Sequence, residues 1–163
     1  MNKVFVVDSN RQPLAPCHPA KARKLLRDGQ AAVYRAFPFT IALLRAVAEP
    51  VAPPLRVKID PGSKVTGLAI VNDTTGEIVW AAELEHRGPM IVASLLARRG
   101  VRRGRRSRKT RYRTPRFLNR RRRAGWLPPS LASRVANVVT WGARLRRVSP
   151  LQAVSMELVR FWF

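Results

Sequence analysis

The apolar positions of the first 46 residues fall into short groups separated by turn formers. Val4, Phe5, Val6 and Val7 predict a strand over residues 3–8, and the cluster Ser9-Asn10-Arg11-Gln12-Pro13 predicts a turn behind it. Pro16 and Pro19 lead into a predicted helix over 19–27, with Ala22, Leu25 and Leu26 on its apolar side and Gly29 at its end. Residues 31–35 and 39–45 read as two further strands around Pro38. The resulting βαββ unit over 1–46 has a marginal core and is expected to lean on a neighbour or a ligand. Residues 47–54 (VAEPVAPP) read as a proline-rich linker. Beyond it the pattern changes to strands over 55–60, 66–72 and 77–85, joined by the turn segments 61–64 and 73–76. Turns that short predict an antiparallel meander over 55–87. Residues 88 to about 113 can be helical. Arg98, Arg102, Arg105, Lys109, Arg113 and Arg116 follow a 4-3-4-4-3 spacing close to one helical face, and Pro115 should end or kink the element. Such a helix of about 26 residues would be a rod of ~39 Å. Gly100 and Gly104 each weaken it by ~1 kcal/mol relative to Ala. Residues 125–130 predict a rigid loop with Ser130 as a helix cap. Residues 131–147 predict an amphipathic helix with Leu131, Val135, Val138, Val139, Trp141 and Leu145 on its core side, and 153–159 a last strand. The fold class is α/β (α+β). Five segments organise the chain: 1–46, 47–54, 55–87, an arginine-rich 88–123, and 124–163.

Charge sharpens this picture. The chain has 163 residues with 32 Lys+Arg against 9 Asp+Glu, a net charge of +23. An apolar fraction of 46% is too high for a wholly disordered polycation. A pI near 12.0 argues against an ordinary metabolic enzyme with a small-molecule substrate and toward a polyanionic partner, nucleic acid first. One cysteine, Cys17, excludes an intrachain disulfide, and with His18 and His86 it cannot build a four-ligand zinc site. No window is apolar enough to span a bilayer, and Asp8 interrupts the N-terminal stretch where a signal peptide is apolar. These features predict a cytoplasmic chain without a membrane partner. From His86 to Met156 there is no acid, while that stretch holds twenty Lys+Arg, sixteen of them between Arg87 and Arg123. All sixteen but Lys109 are arginine, which offers phosphate a planar fork of donors and stacks on bases. A solvated basic tail is the plainer alternative.

Two acids stand where chemistry is possible. In Leu55-Arg56-Val57-Lys58-Ile59-Asp60, alternation puts Asp60 at a strand end, opposite in face to the apolar residues. It could open the hairpin as an Asx turn or help hold a divalent metal. Glu157 is the only acid after Glu85 and alternates with Val154, Met156 and Leu158. It is either an exposed strand position or a second ligand beside Asp60. Two carboxylates are too few for a two-ion phosphodiesterase, and Asp73, Glu77, Glu83 and Glu85 offer no geometric reason for recruitment. The segment 62–67 (GSKVTG) lacks the ending of a phosphate-binding P-loop. Tyr112, Phe117 and Trp126, interleaved with arginine, either stack unpaired bases or pin the segment to the sheet. His18 and His86 have no partner for a nucleophilic relay.

Several segments together resemble a known family. Residues 8–19, with Pro13-Leu14-Ala15-Pro16 where the family has Pro-Leu-Met-Pro, are similar to the opening of the IscB family of transposon-encoded, RNA-guided nucleases. Ile59-Asp60-Pro61-Gly62-Ser63-Lys64 resembles the first RuvC segment. Arg102-Arg103-Gly104-Arg105-Arg106 matches the Arg-Arg-x-Arg-Arg signature of the bridge helix, continued by residues 109–113 and 115–120. Residues 125–129 and 157–161 resemble the approach to, and core of, the second RuvC segment.

The resemblance implies a small N-terminal domain followed by an incomplete ribonuclease H-like (RuvC) domain with an inserted arginine-rich bridge helix. Asp60 and Glu157 would be Mg²⁺-binding, catalytic carboxylates. Arg98, Arg99, Arg102, Arg103, Arg105, Arg106, Arg108, Lys109, Arg111, Tyr112, Arg113, Arg116 and Arg120 would contact structured guide RNA and the RNA–DNA duplex, with base pairing supplying sequence. Full members continue into an HNH domain, a third RuvC segment with the remaining metal ligands, and a target-reading region. The family pattern is left at Trp162. The expectation is therefore a truncated chain that does not cut DNA alone and could need a complementing C-terminal polypeptide. A non-catalytic basic RNA-binding protein, ribosome-associated or general, is the alternative.

Overall fold

Phe5 and its neighbours show how the chain uses strand alternation, in a computed structural model that describes residues 2–108 and 122–158. Val4 and Val6 of β1 (Val4–Val7) face one way, into a core with Leu14, Ala22, Ala31 and Ile41. Phe5 faces the other way and joins a second core around Trp80, their rings 6.1 Å apart. One strand thus serves two cores because successive side chains point to opposite faces.

The first sheet adds β2 (Pro13–Cys17), β3 (Ala31–Arg35) and β4 (Thr40–Leu43) in the order β2-β1-β4-β3, with β1 and β4 parallel. Helix α1 (Pro19–Arg27) lies between β2 and β3 in sequence and spans the residues its pattern predicts. Its cap is His18, whose Nδ1 accepts the Ala20 N–H at 3.2 Å. The expected βαββ unit is corrected to ββαββ, since β2 occupies a segment read as turn and lead-in. Pro13 and Pro16 suppress a strand signal, yet an edge strand tolerates them because one side of its backbone pairs with nothing. The buried Asp8 carboxylate accepts the N–H groups of Gln12 at 2.7 Å and Val47 at 3.5 Å, tying the β1–β2 turn to the segment after β4.

The second sheet is the expected meander, β5 (Leu55–Pro61), β6 (Val65–Asn72) and β7 (Ile78–Glu85), all antiparallel. Strand β8 (Leu151–Met156) adds to it parallel to β5, in the order β7-β6-β5-β8. Leu55, Val57, Leu68, Ile70, Trp80 and Leu84 line one face and bury Leu145 and Val148. The small first sheet leans on this neighbour, as its marginal core requires. The Lys3 N–H donates to the Val79 carbonyl at 2.8 Å, and the Asn2 side-chain amide exchanges two hydrogen bonds with the Ala81 backbone. Two four-stranded mixed sheets and, among the described residues, three helices make the chain a mixed α/β protein.

Two helices separate β7 from β8. Helix α2 spans Gly88–Ser107, and the rest of the stretch expected to be helical, from 109 to 113, lies outside the described residues. The Ser107 hydroxyl donates back to the carbonyls of Arg103 and Gly104, and Arg108 turns to extended backbone at φ −67°, ψ 136°. Twenty residues make a rod of about 30 Å. Helix α3 (Pro129–Arg146) begins one residue before the expected cap Ser130. Pro129 takes the first helical place, where its fixed φ suits the helix and its missing N–H costs nothing. Leu145 of α3 is buried, and Val138 and Trp141 pack on the second core. Val135 and Val139, expected on that side, are 51% and 65% exposed. The described residues through Glu85 and from Val138 onward form one compact unit, and His86–Asn137 the other.

Candidate nucleic-acid interface and carboxylate pair

Helix α2 buries none of its side chains. At 3.6 residues per turn, Arg98, Arg102 and Arg105 fall within roughly 60° of one another, and Arg99, Arg103 and Arg106 form an adjoining stripe. Gly100, Val101 and Gly104 take the other side. From 98 to 106 the helix rises about 12 Å, so its arginines supply one charge per ~2 Å, close to the ~1.7 Å per phosphate along duplex DNA. Arg106 is half-buried and the other five are exposed, as is Arg108 just past the helix. The ion pairs among the described residues are Lys3–Glu77, Arg27–Asp28 and Arg56–Asp73, and none involves α2. No acid among the described residues neutralises this guanidinium row, and an unneutralised row of this kind has the electrostatics to attract a polyanion.

In the same unit the Arg122 guanidinium lies 3.4 Å from the centre of the Trp126 ring, which is 44% exposed. Trp126 therefore holds an arginine on one face. Lys109, Arg111, Tyr112, Arg113, Arg116 and Arg120, with Phe117, lie outside the described residues.

The two acids singled out from sequence come together. Ile59 pairs with Met156, and the Glu157 N–H donates to the Ile59 carbonyl at 3.0 Å. Asp60 and Glu157 therefore stand side by side where the parallel strands β5 and β8 end. Both are exposed. Across the sheet Asp60 faces Gly67, where an added Cβ would sit 3.6 Å from the Asp60 Cβ and 4.0 Å from its Oδ2. Glycine keeps the space beside the carboxylate clear. Gly67 in turn pairs with Glu83, which puts Glu83 in the same cross-strand row and on the same face as Asp60. That acid was passed over in the sequence reading; the pairing of both neighbours with one glycine is what brings it into line. Among the described residues no three His, Cys, Asp or Glu side chains are close enough to hold a metal ion.

No helix among the described residues is long and apolar enough to cross a membrane. Among known proteins, the family model described as RRXRR protein matches residues 4–163. No curated protein matches the chain.

Proposed function

The chain belongs to the RRXRR protein family, and on that footing we propose that it is the RNA-gripping part of an IscB-like, RNA-guided DNA endonuclease. The arginine face of α2 holds structured guide RNA and the RNA–DNA duplex by their phosphates, with Arg98, Arg99, Arg102, Arg103, Arg105, Arg106 and Arg108 as donors. The observation that carries this reading is a helix with no buried side chain whose arginines have no acidic partner among the described residues.

Support for a ribonuclease H-like (RuvC) sheet comes from the antiparallel meander, the parallel fourth strand beside β5, and the paired ends that carry Asp60 and Glu157. Hard carboxylate oxygens with clear space beside them suit Mg²⁺, and Asp60 and Glu157 would be its protein ligands. When bound, such an ion activates water for phosphodiester hydrolysis. Two carboxylates do not build the two-ion arrangement, so this chain by itself is expected to leave plasmid and R-loop substrates uncut. A complementing polypeptide that supplies further ligands would be its partner in cleavage.

The test is the salt dependence of binding to a structured RNA, followed by sequencing of RNA that copurifies with the chain. Ten phosphate contacts give a log–log slope of roughly 7–9. A slope near zero removes the polyanion role, and cosedimentation with ribosomes without a preferred structured RNA replaces the guide-RNA reading. Mg²⁺-dependent cleavage abolished by Asp60→Ala would refute the claim that the site is incomplete.

A further inference from the structure

Outside α2, two aromatic–arginine clusters involve the β3–β4 hairpin, one with the last turns of α3 and one with the β1–β2 turn. Phe37 is 65% exposed, and its ring meets that of Trp141 edge-on at 5.7 Å and 79°. The Arg144 guanidinium lies 5.2 Å from the centre of the Trp141 ring. Three residues before Phe37, Tyr34 is 39% exposed and carries the Arg11 guanidinium 5.8 Å from its ring centre. Arg11 has a φ of 62°, the left-handed region that a non-glycine residue takes only when its surroundings impose it. Here the Arg11 N–H donates to the Asp8 carbonyl, and the Asp8 carboxylate takes the following N–H, that of Gln12. The turn is held in an unfavourable conformation that sets a cation over a tyrosine.

We propose that this surface binds unpaired nucleotides of a single-stranded nucleic acid. Phe37 and Tyr34 stack bases, and Arg11 and Arg144 take the flanking phosphates. Each ring is braced on one side, by tryptophan or by arginine, and exposed on another, which is the arrangement a stacking platform needs. Neither Arg11 nor Arg144 is ion-paired among the described residues. In a chain of net charge +23 that favours an anionic polymer over an apolar protein surface. The site lies outside α2 and stands whether or not the guide-RNA reading does.

Stacking and phosphate contacts separate by salt. The phosphate contribution sets the slope of log affinity against log salt, while stacking shifts the whole line. The probes are a labelled oligouridine and a blunt RNA duplex with the same number of phosphates, titrated with the full chain over a salt series. Phe37→Leu keeps an apolar contact for Trp141 and removes the flat ring. It is expected to weaken oligouridine binding about fivefold or more at every salt, with slope and duplex affinity unchanged. Phe37→Trp is expected to restore binding, and Tyr34→Leu to repeat the loss. Ultraviolet crosslinking of the unaltered chain should place oligouridine on the peptide containing Tyr34 and Phe37. Unchanged oligouridine affinity in both leucine variants, crosslinks confined to α2, or an equal loss for duplex and single strand would each overturn the proposal. The first two would leave the patch as a protein-docking surface. Failure of the α2 reading shows separately, as a slope that does not move when α2 loses charge.

Discussion

Replacing Arg102 by glutamine should stabilise the free protein locally and weaken its hold on RNA. Arg102 sits at the centre of the α2 row, with Arg98, Arg99, Arg105 and Arg106 three or four residues away on neighbouring positions. Each like-charge pair at that spacing weakens an exposed helix by about 0.2–0.5 kcal/mol. A Coulomb estimate at about 6 Å in water gives ~0.7 kcal/mol before salt screening, which is consistent. Four pairs amount to ~1–2 kcal/mol. No packing masks the effect, because α2 buries none of its side chains. Arginine and glutamine differ little in helix propensity, so the charge is what changes. Amide hydrogen exchange across α2 in the RNA-free chain should therefore slow by roughly 5- to 30-fold. Against a structured RNA, the same variant loses one phosphate contact, and the log–log salt slope should fall by ~0.7–0.9. Two measurements with opposite signs follow from one charge. Faster or unchanged exchange would mean that the arginines do not repel one another on this helix. An unmoved slope would mean that Arg102 meets no phosphate.

Gly100→Ala and Gly104→Ala each meet open space and should stabilise α2 by ~1 kcal/mol, read by hydrogen exchange, with RNA affinity unchanged; a loss of affinity would mean that RNA backbone approaches the glycine side. Leu145→Ala removes a fully buried side chain and should lower the urea midpoint by the equivalent of about 2–5 kcal/mol at an unchanged m-value. Burial, and secondarily Arg134, hold His86 below the usual histidine range. The unfolded chain then takes up the proton first, so this contribution to stability is present above about pH 6.5 and is lost as pH falls toward the folded value. Urea midpoints over that window should fall in the native chain and stay flatter in His86→Gln, and parallel curves would contradict the assignment.

What the sequence disclosed was what repeats locally. Leu55, Val57 and Ile59 alternate with Arg56, Lys58 and Asp60, and that period alone identifies β5 and its inner face. Helix α1 was legible because a capping histidine, a proline at its start and Gly29 beyond its end bracket it. Strand β2 was not, since Pro13 and Pro16 contradict a strand everywhere except at a sheet edge, and edge position is a property of the whole sheet. The outward turn of Val135 and Val139 was equally hidden. Several apolar residues on α3 compete for one face, and the core takes the stripe of Val138, Trp141 and Leu145. The end of α2 depended on a serine folding back on its own helix. Asp60 and Glu157 were recognisable as candidates, but their adjacency depends on a parallel pairing across most of the chain, which no local pattern encodes. The cross-strand alignment of Glu83 with Asp60 was hidden for the same reason.

The distribution of acids bears on the role proposed for that end of the sheet. A chain with 32 basic residues can satisfy nine carboxylates several times over. Asp28, Asp73 and Glu77 are ion-paired, and Asp8 is taken up by backbone N–H groups. Exposed Glu49 of the proline-rich segment has no cationic partner among the described residues, and neither do Asp60, Glu83 and Glu157. The last three occupy one end of one sheet face, two at adjacent strand ends and the third across Gly67. Their grouping around Gly67, in a protein of net charge +23, leaves a patch of carboxylates that no described cation neutralises. On the proposed reading, such a potential would attract a small, hard cation and repel the phosphates proposed to bind α2, so substrate backbone would need an intervening metal ion to approach these carboxylates.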